Sequence, residues 1–333
     1  MKVWDLHCDT LLELRRAEKA GAPKSFLHND LHIDFEKLQQ GDYLLQCFAA
    51  YVDLADPAPG ADPLVSVLEE IDIFKRLMAA YPEKIAPVYT AADLERNRAE
   101  GKLSAMLTVE EGGCCKGSLG VLRQMYELGA RMMTLTWNHE NELASPNVVP
   151  GGGGDIWPCK PNTETGLKER GFEFLAEMER LHMIVDVSHL SDRGFWDIAE
   201  HSTRPFAASH SNCRALAPHC RNLTDEMIRV MAEKGGLVGL NYCSGFLDDQ
   251  PRPELCRSTT ALMARHAAHF KQVGGIEIIG LGSDFDGIGG KLEMGDCSKL
   301  PLLADALRKE GFTEDEVEQI FFRNAQRFFE ENL

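Results

Sequence analysis

Eight short apolar runs recur along the 333-residue chain, and amphipathic segments separate them. The runs are nearly continuous in aliphatic residues rather than strictly alternating, which is typical of parallel strands covered on both faces. We predict strands near 3–9, 44–52, 104–110, 131–137, 183–189, 206–210, 237–243 and 278–284. Eight strands alternating with helices predict an α/β fold, the closed (β/α)8 TIM barrel, with an open doubly wound sheet as the competing architecture.

No repeat or linker interrupts this pattern, so we expect residues 1–333 to form one barrel domain. One segment, 145–166, is rich in glycine and proline and lacks periodicity. A long irregular loop after a barrel strand usually has a function, and we expect this one to shape the pocket.

The charge balance limits the partners. The formal net charge of −17 argues against nucleic acid and against an anionic membrane surface, although carboxylates remain available to bind a metal cation. The chain shows neither a signal-like segment nor an apolar run long enough to span a bilayer. We therefore expect a cytoplasmic protein whose ten cysteines are reduced thiols rather than a disulfide framework.

Histidine, aspartate and glutamate residues mark the ends of five predicted strands: His7, Asp9, Glu110, His189, His210 and Asp284. The carboxyl ends of barrel strands meet at one mouth, where active sites are built. Positions i and i+2 of a strand share a face, so His7 and Asp9 can reach the same ion. Imidazole nitrogens and carboxylate oxygens are the ligands of catalytic zinc, so we predict a metal site here. By contrast, we interpret Glu111 and a second group of histidines as surface or helix residues, namely His28, His32, His201, His219, His266 and His269.

These residues belong to motifs that occur in a specific order: His7-Cys8-Asp9-Thr10, Val109-Glu110 before Gly112-Gly113, Ser118–Leu122, Asp186-Val187-Ser188-His189, Ser209-His210-Ser211, Arg221-Asn222 and Gly282–Gly287. In order and spacing, the chain resembles the membrane (renal) dipeptidase family, within the metal-dependent amidohydrolase-like barrels. The resemblance covers nearly the whole chain.

The resemblance implies a site with two zinc ions. His7, Asp9 and Glu110 would hold one ion and His189 and His210 the other, with Glu110 bridging both. Mn²⁺ or Co²⁺ also suits such nitrogen and oxygen donors. The resemblance further implies a homodimer of the bacterial type without a membrane anchor.

Two further residues gain roles from the resemblance. Arg221 matches the residue that holds the C-terminal carboxylate of the substrate, and a planar guanidinium suits a carboxylate through two parallel hydrogen bonds. Asp284 matches the residue near the substrate amine and the reacting water. Two zinc ions acidify a bridging water to hydroxide, which would attack the peptide carbonyl. Asp284 would pass a proton to the leaving amine or pair with the substrate ammonium, and the sequence leaves both roles open.

The chain departs from the family at the fourth predicted strand, where Trp137 follows Leu135-Thr136 in place of a histidine. His139 is a candidate substitute for that substrate-binding histidine. Other hydrolases on the same site remain alternatives, namely an N-acyl-amino-acid deacylase, a lactonase or a deaminase, because a barrel fold does not decide chemistry. A non-catalytic metal-binding protein is the third possibility.

Overall fold

The computed structural model describes residues 1–56, 61–149 and 160–333. Within them the strands are β1 (Val3–Asp5), β2 (Tyr43–Tyr51), β3 (Ile85–Pro87), β4 (Leu103–Glu110), β5 (Ala130–Thr134), β6 (Ile184–Asp186), β7 (Ala207–Ala208), β8 (Leu237–Leu240) and β9 (Ile279–Leu281). The helices are α1 (Thr10–Lys19), α2 (Phe35–Gln40), α3 (Pro63–Ala80), α4 (Ala91–Ala99), α5 (Leu119–Leu128), α6 (Glu169–Leu181), α7 (Asp192–His201), α8 (Asp225–Glu233), α9 (Ser244–Leu247), α10 (Thr260–Gly274), α11 (Leu300–Glu310), α12 (Glu314–Glu318) and α13 (Asn324–Asn332).

Eight parallel strands close into a barrel. Their order is β2-β1-β9-β8-β7-β6-β5-β4, and a long parallel pairing of β2 with β4, from Leu45↔Ser104 to Tyr51↔Glu110, completes the ring. The (β/α)8 prediction is confirmed, and the open sheet is excluded because no barrel strand is left as an edge. The short strand β3 was not predicted; it pairs with β4 alone, outside the ring.

Local sequence explains where several helices begin. Thr90 with Asp93 and Thr313 with Glu316 form capping boxes, in which each side chain binds the other residue's backbone N–H. The Ser118 side chain accepts a hydrogen bond from the Val121 N–H at the start of α5. Of these helices, α4 packs against β3 and β4, and α5 packs against β5.

Most barrel strands end earlier than the sequence predicts. β6 stops at Asp186, three residues before His189, and β9 stops at Leu281, three residues before Asp284. His189 and Asp284 themselves have left-handed backbones, with φ of 69° and 61°. Since non-glycine residues rarely adopt this conformation, the turns that present both side chains are locally strained.

The flanks of the irregular loop pack over the end of β6. Bridges join Ala144 to Leu167 and Val148 to Pro161, and the Asn147 N–H donates to the carbonyl of His189 over 2.7 Å. These contacts place the described flanks of the loop beside a predicted metal ligand. The middle of the predicted loop, residues 150–159, lies outside the described residues.

Eight cysteines are free thiols, namely Cys8, Cys47, Cys114, Cys115, Cys213, Cys243, Cys256 and Cys297. The prediction of reduced cysteines is confirmed for these eight and is wrong for Cys220, which is disulfide-bonded. Among the described helices, none combines the length and apolar character needed to cross a bilayer.

Candidate metal centre and substrate site

The loops after the barrel strands bring the predicted metal ligands together at one mouth. His7 lies two residues beyond β1, and Asp9 is the residue that precedes α1, with φ of −103°. From the sequence we expected the two-residue period of a strand to bring these side chains together. That reason is wrong, because neither residue belongs to a strand. Their side chains still converge, with 3.5 Å between His7 Nε2 and Asp9 Oδ2.

Glu110, the last residue of β4, lies at the centre of the cluster. Its Oε2 is 3.2 Å from His7 Nε2, whereas its Oε1 is 3.1 Å from His189 Nε2 and 3.5 Å from His210 Nε2. The two oxygens of one carboxylate thus face different groups of nitrogen and oxygen donors. All of these side chains are buried.

Hydrogen bonds at the outer ring nitrogens fix the tautomers of two histidines. His189 Nδ1 lies 2.9 Å from Asn138 Oδ1, an oxygen that can only accept. His210 Nδ1 lies 2.7 Å from Ser209 Oγ, and this hydroxyl donates to Asp186. His210 Nδ1 must therefore carry the proton, and His189 Nδ1 carries it with the Asn138 amide in this orientation, which leaves the Nε2 atom of each neutral ring as a lone pair.

Those two lone pairs face each other, because 3.0 Å separates His189 Nε2 from His210 Nε2. Two lone pairs at this distance repel unless a cation lies against them. Burial lowers the pKa of both imidazoles well below the usual value, and nearby positive charge lowers it further, so both rings are neutral. Neutral imidazole is the form that binds a metal.

The other half of the cluster is rich in negative charge. Burial lowers the pKa of His7, but the adjacent Glu110 and Asp9 more than offset this and hold it well above the usual value. Burial also raises the pKa of Asp9, as does the charge of Glu110. His7 Nε2 and Asp9 Oδ1 are buried and have no hydrogen-bonding partner among the described residues. A divalent cation would satisfy these atoms and offset the crowded carboxylates, so the donor set fits a metal.

Asp284 lies at the edge of this cluster, with its Oδ1 4.0 Å from His7 Nε2. Its Oδ2 accepts a hydrogen bond from Asn241 Nδ2 over 2.9 Å. Burial raises the pKa of Asp284 to about 7, and the charges of Asp9 and Glu110 act in the same direction. The raised pKa therefore reflects the crowding of buried carboxylates at this edge of the cluster.

Arg221 is buried beside the candidate ligand His210, and its Nη2 donates to the His210 carbonyl over 3.2 Å. The Nε and Nη1 groups have no hydrogen-bonding partner among the described residues. The guanidinium carbon lies 5.2 Å from the ring of Phe246. A buried guanidinium with two free N–H groups is a site for an anion such as a carboxylate.

A sequence profile described as membrane dipeptidase (peptidase family M19) matches residues 1–332. The chain belongs to the membrane dipeptidase family. It is therefore a metallodipeptidase-type hydrolase that acts on peptide bonds. An uncharacterized dipeptidase of Schizosaccharomyces pombe is 33% identical over 341 residues, an alignment that covers 98% of this chain and 79% of the yeast protein.

Two solved structures agree with this family. A metallopeptidase from Rhodobacter sphaeroides, bound to a phosphinate mimic of the dipeptide L-Ala-D-Ala, has a TM-score of 0.88 and 26% identity over 100% of this chain and 99% of that chain. A metallopeptidase called dipeptidase AC has a TM-score of 0.88 and 27% identity, covering 100% of this chain and 98% of that chain.

In the loop after β5 of this membrane dipeptidase, Trp137 lies beside the cluster and His139, the candidate substrate-binding histidine, does not. The indole of Trp137 lies 5.9 Å from the His189 ring and 5.2 Å from the Tyr51 ring, so an aromatic side chain packs directly beside the cluster. His139 lies farther out, with its Nε2 2.9 Å from Asp53 Oδ1 and about a third of its side chain exposed. The structure does not bring His139 to the ligands.

Two residues interpreted as surface are buried instead. Glu111, with φ of 100°, accepts hydrogen bonds from the backbone N–H groups of Gly113 and Trp137, and burial raises its pKa to about 7. His219 is buried against Phe246, and its Nδ1 accepts from the Arg221 N–H. Glu111 thereby joins the loops after β4 and β5, and His219 supports the loop that carries Arg221.

Sequence reasoning also missed the residues that orient the cluster, namely Asn138, Asp186, Ser209 and Asn241. Asp186 and Ser209 lie within the motifs that contain His189 and His210, which is a usable signal because metal-binding histidines usually donate their second N–H to a nearby acceptor. Nothing local to Asn138 or Asn241 distinguishes either from an ordinary loop asparagine.

Proposed function

We propose that this member of the family is a binuclear zinc dipeptidase. His7, Asp9 and Glu110 would hold one zinc ion, and His189 and His210 the other, with Glu110 shared. The division of Glu110 between the two donor groups supports this assignment. The mixed nitrogen and oxygen donors are those of catalytic zinc, and they also suit Mn²⁺ or Co²⁺.

Bound zinc ions would supply Lewis acidity, which polarises the peptide carbonyl and lowers the pKa of water. The chain's own residues would bind and orient the substrate. Arg221 would hold the C-terminal carboxylate by two parallel hydrogen bonds. Asp284 Oδ1, which faces the cluster, would either pair with the substrate ammonium or take a proton from the reacting water and pass it to the leaving amine.

A single observation carries the dipeptide assignment: Arg221 is a buried cation beside the candidate ligand His210, and its Nε and Nη1 groups have no hydrogen-bonding partner within the described part of the chain. A carboxylate bound there would lie close to the reacting carbonyl, so the substrate must be short. The dipeptide mimic bound to the Rhodobacter sphaeroides relative is consistent with this size.

The metal content of the purified protein tests the cluster first. We expect about two zinc-like ions per chain in the wild type, as a two-metal site requires. Glu110→Ala should lose at least one of them, because both donor groups share this carboxylate. Glu140→Ala is the matched control, since Glu140 pairs with Lys168 at the exposed rim. If the wild type binds no metal after reconstitution, the proposal of a metal site is wrong.

A substrate panel tests the reaction. L,L and L,D dipeptides should release free amino acids, whereas N-acetyl amino acids and lactones should be far poorer substrates. Turnover of an N-acetyl amino acid or a lactone at the highest kcat/KM, with no dipeptide cleavage, would instead support another hydrolase on the same metal site.

A further inference from the structure

Three buried asparagines connect the functional residues of the mouth. Asn212 lies two residues after His210, Asn222 follows Arg221, and Asn241 lies just beyond β8. Each is at most 1% exposed. We refer to Asn212, Asn222 and Asn241 together as the asparagine ladder.

The ladder begins beside Arg221. Asn222 Oδ1 accepts a hydrogen bond from the Asn212 N–H over 3.2 Å, and its Nδ2 donates to the carbonyls of Ala217 and Phe246 over 2.8 and 2.9 Å. The Phe246 carbonyl also accepts from Asn212 Nδ2 over 3.3 Å. Since the ring of Phe246 lies under the Arg221 guanidinium, these bonds fix both the loop and the floor of the anion site.

The ladder ends at Asp284. Asn212 Nδ2 donates to the Asn241 carbonyl over 2.9 Å, and Asn212 Oδ1 accepts from the Asn241 N–H over 3.1 Å. Asn241 Oδ1 accepts from the Cys243 N–H, so its Nδ2 must face Asp284 Oδ2, to which it donates over 2.9 Å. The partners therefore fix the orientation of every amide in the ladder.

We propose that the asparagine ladder sets a fixed spacing between Arg221 and Asp284, and that this spacing restricts the enzyme to dipeptides. The proposal rests on the proposed function, in which these two residues bind the two ends of the substrate. One extra residue lengthens an extended peptide by about 3.5 Å. To accommodate it, Arg221 would have to move away from Asp284 by about that distance, which would break the ladder's buried hydrogen bonds.

The ladder residues are positioning residues, because they touch Arg221 and Asp284 or the backbone around them rather than the reacting atoms. Asn222→Ala should loosen the Arg221 end. Misplacing a binding group by about 1 Å costs up to 100-fold, so we expect KM for a dipeptide to rise on the order of tenfold. The ratio of tripeptide to dipeptide kcat/KM should rise by a similar factor.

A dipeptide amide, which lacks the carboxylate, should be hydrolysed by Asn222→Ala and wild type with KM values within about twofold of each other. In an Arg221→Ala background, Asn222→Ala should add almost nothing, because the ladder acts through Arg221. A purely structural role would give additive effects and would impair the amide equally, and either result overturns the proposal.

Asn324→Ala is the matched control. Asn324 is also buried and donates to two carbonyls, those of Ile276 and Ile279, but it lies at the opposite end of the barrel. It should lower stability to a similar degree and leave KM and the length preference unchanged. If Asn222→Ala does not fold, Asn222→Ser, whose hydroxyl can still donate one hydrogen bond, should give a smaller change in the same direction.

Hydrogen exchange separates this proposal from the proposed function. The backbone N–H groups of Asn212, Asn241 and Cys243 should exchange slowly in the wild type and at least about tenfold faster in Asn222→Ala. A wild type that cleaves no dipeptide would refute the proposed function, and unchanged exchange would then refute the ladder independently. A wild type that cleaves tripeptides as efficiently as dipeptides would refute the ladder alone.

Discussion

Two buried arginines lie at opposite ends of the barrel. Arg131, near the start of β5, donates to the carbonyls of Tyr89, Tyr126 and Ala130 over 2.7–2.9 Å, and its guanidinium carbon lies 3.9 Å from the Tyr126 ring. Arg221, at the mouth, makes one hydrogen bond of 3.2 Å and leaves Nε and Nη1 without a described partner. Both arginine side chains are buried, but Arg131 donates to three carbonyls, whereas Arg221 donates to only one among the described residues.

This difference in hydrogen bonding is the one we expect between an arginine that stabilises the fold and one that binds a ligand. Burying a charged group is costly, and hydrogen bonds and nearby counter-charges normally offset the cost. Arg131 is compensated by the chain itself. Arg221 is only partly compensated, by the charges of Asp284 and Glu110, so its binding capacity remains for a ligand. The comparison predicts that one arginine contributes mainly to stability and the other mainly to substrate affinity.

Arg221→Met tests the functional half of the comparison. Each hydrogen bond to a charged group contributes about 1.5–3 kcal/mol, so losing two should raise KM for a dipeptide by about 100-fold or more. The free energy of unfolding, measured with urea, should stay equal or increase, because an undercompensated buried charge is removed. A dipeptide amide serves as the control substrate. An unchanged KM for the free dipeptide would contradict the role of Arg221 as the carboxylate site.

Arg131→Met tests the prediction that Arg131 contributes mainly to stability. Each of the three carbonyls would lose one hydrogen-bond donor, and the stacking on Tyr126 would be lost, so the free energy of unfolding should fall by about 2–4 kcal/mol. KM for a dipeptide should stay within about twofold of the wild-type value. Steady-state kinetics beside urea denaturation would measure both quantities. If Arg131→Met instead raised KM strongly and left the free energy of unfolding unchanged, the predicted difference between the two arginines would be wrong.

Arg221→Lys sharpens the comparison by retaining the charge while removing the planar fork. Because an ammonium cannot form two parallel hydrogen bonds with a carboxylate, KM should rise on the order of tenfold, less than in Arg221→Met. Wild-type kinetics for the lysine variant would mean that charge alone holds the substrate.

The sequence predicted the barrel well because its strands are coded locally. Nearly continuous aliphatic runs identified all eight barrel strands, and only β3, with three residues and one partner, was missed. The strand ends were predicted less well. His189 and Asp284 have left-handed backbones that tertiary packing imposes, and the Asp286-Gly287 turn signal after Asp284 does not show which residue adopts this conformation.

The proximity of the candidate metal ligands was predicted for a related reason: each lies at or just beyond a strand end, and barrel closure brings strand ends together. The polar residues around them could not be predicted. Asn241 reaches Asp284 across 43 residues of sequence, and Glu111 is buried only because the loop after β5 folds over it. Such contacts depend on how loops from different strands meet, which local patterns do not encode.

The smallest expected effect is a dependence of the free energy of unfolding on pH, which arises from His266 beneath the loop that carries Arg221. His266 Nδ1 accepts from the Cys213 N–H over 3.1 Å, and its Nε2 lies 3.0 Å from the Leu247 carbonyl. Burial lowers the pKa of His266 to about 4, below the value of about 6.5 for an unfolded histidine. The unfolded state therefore binds the extra proton between these values, so stability is fully present above pH 6.5 and is lost as pH falls toward 4.

Urea unfolding of the wild type and His266→Gln at pH 7.5 and 5.5 would measure this contribution. A pKa difference of this size corresponds to a loss of about 1 kcal/mol between the two pH values for one histidine. The wild type should lose that much more than the variant, because glutamine does not titrate. Equal losses in the two proteins would show that His266 does not link protonation to this loop.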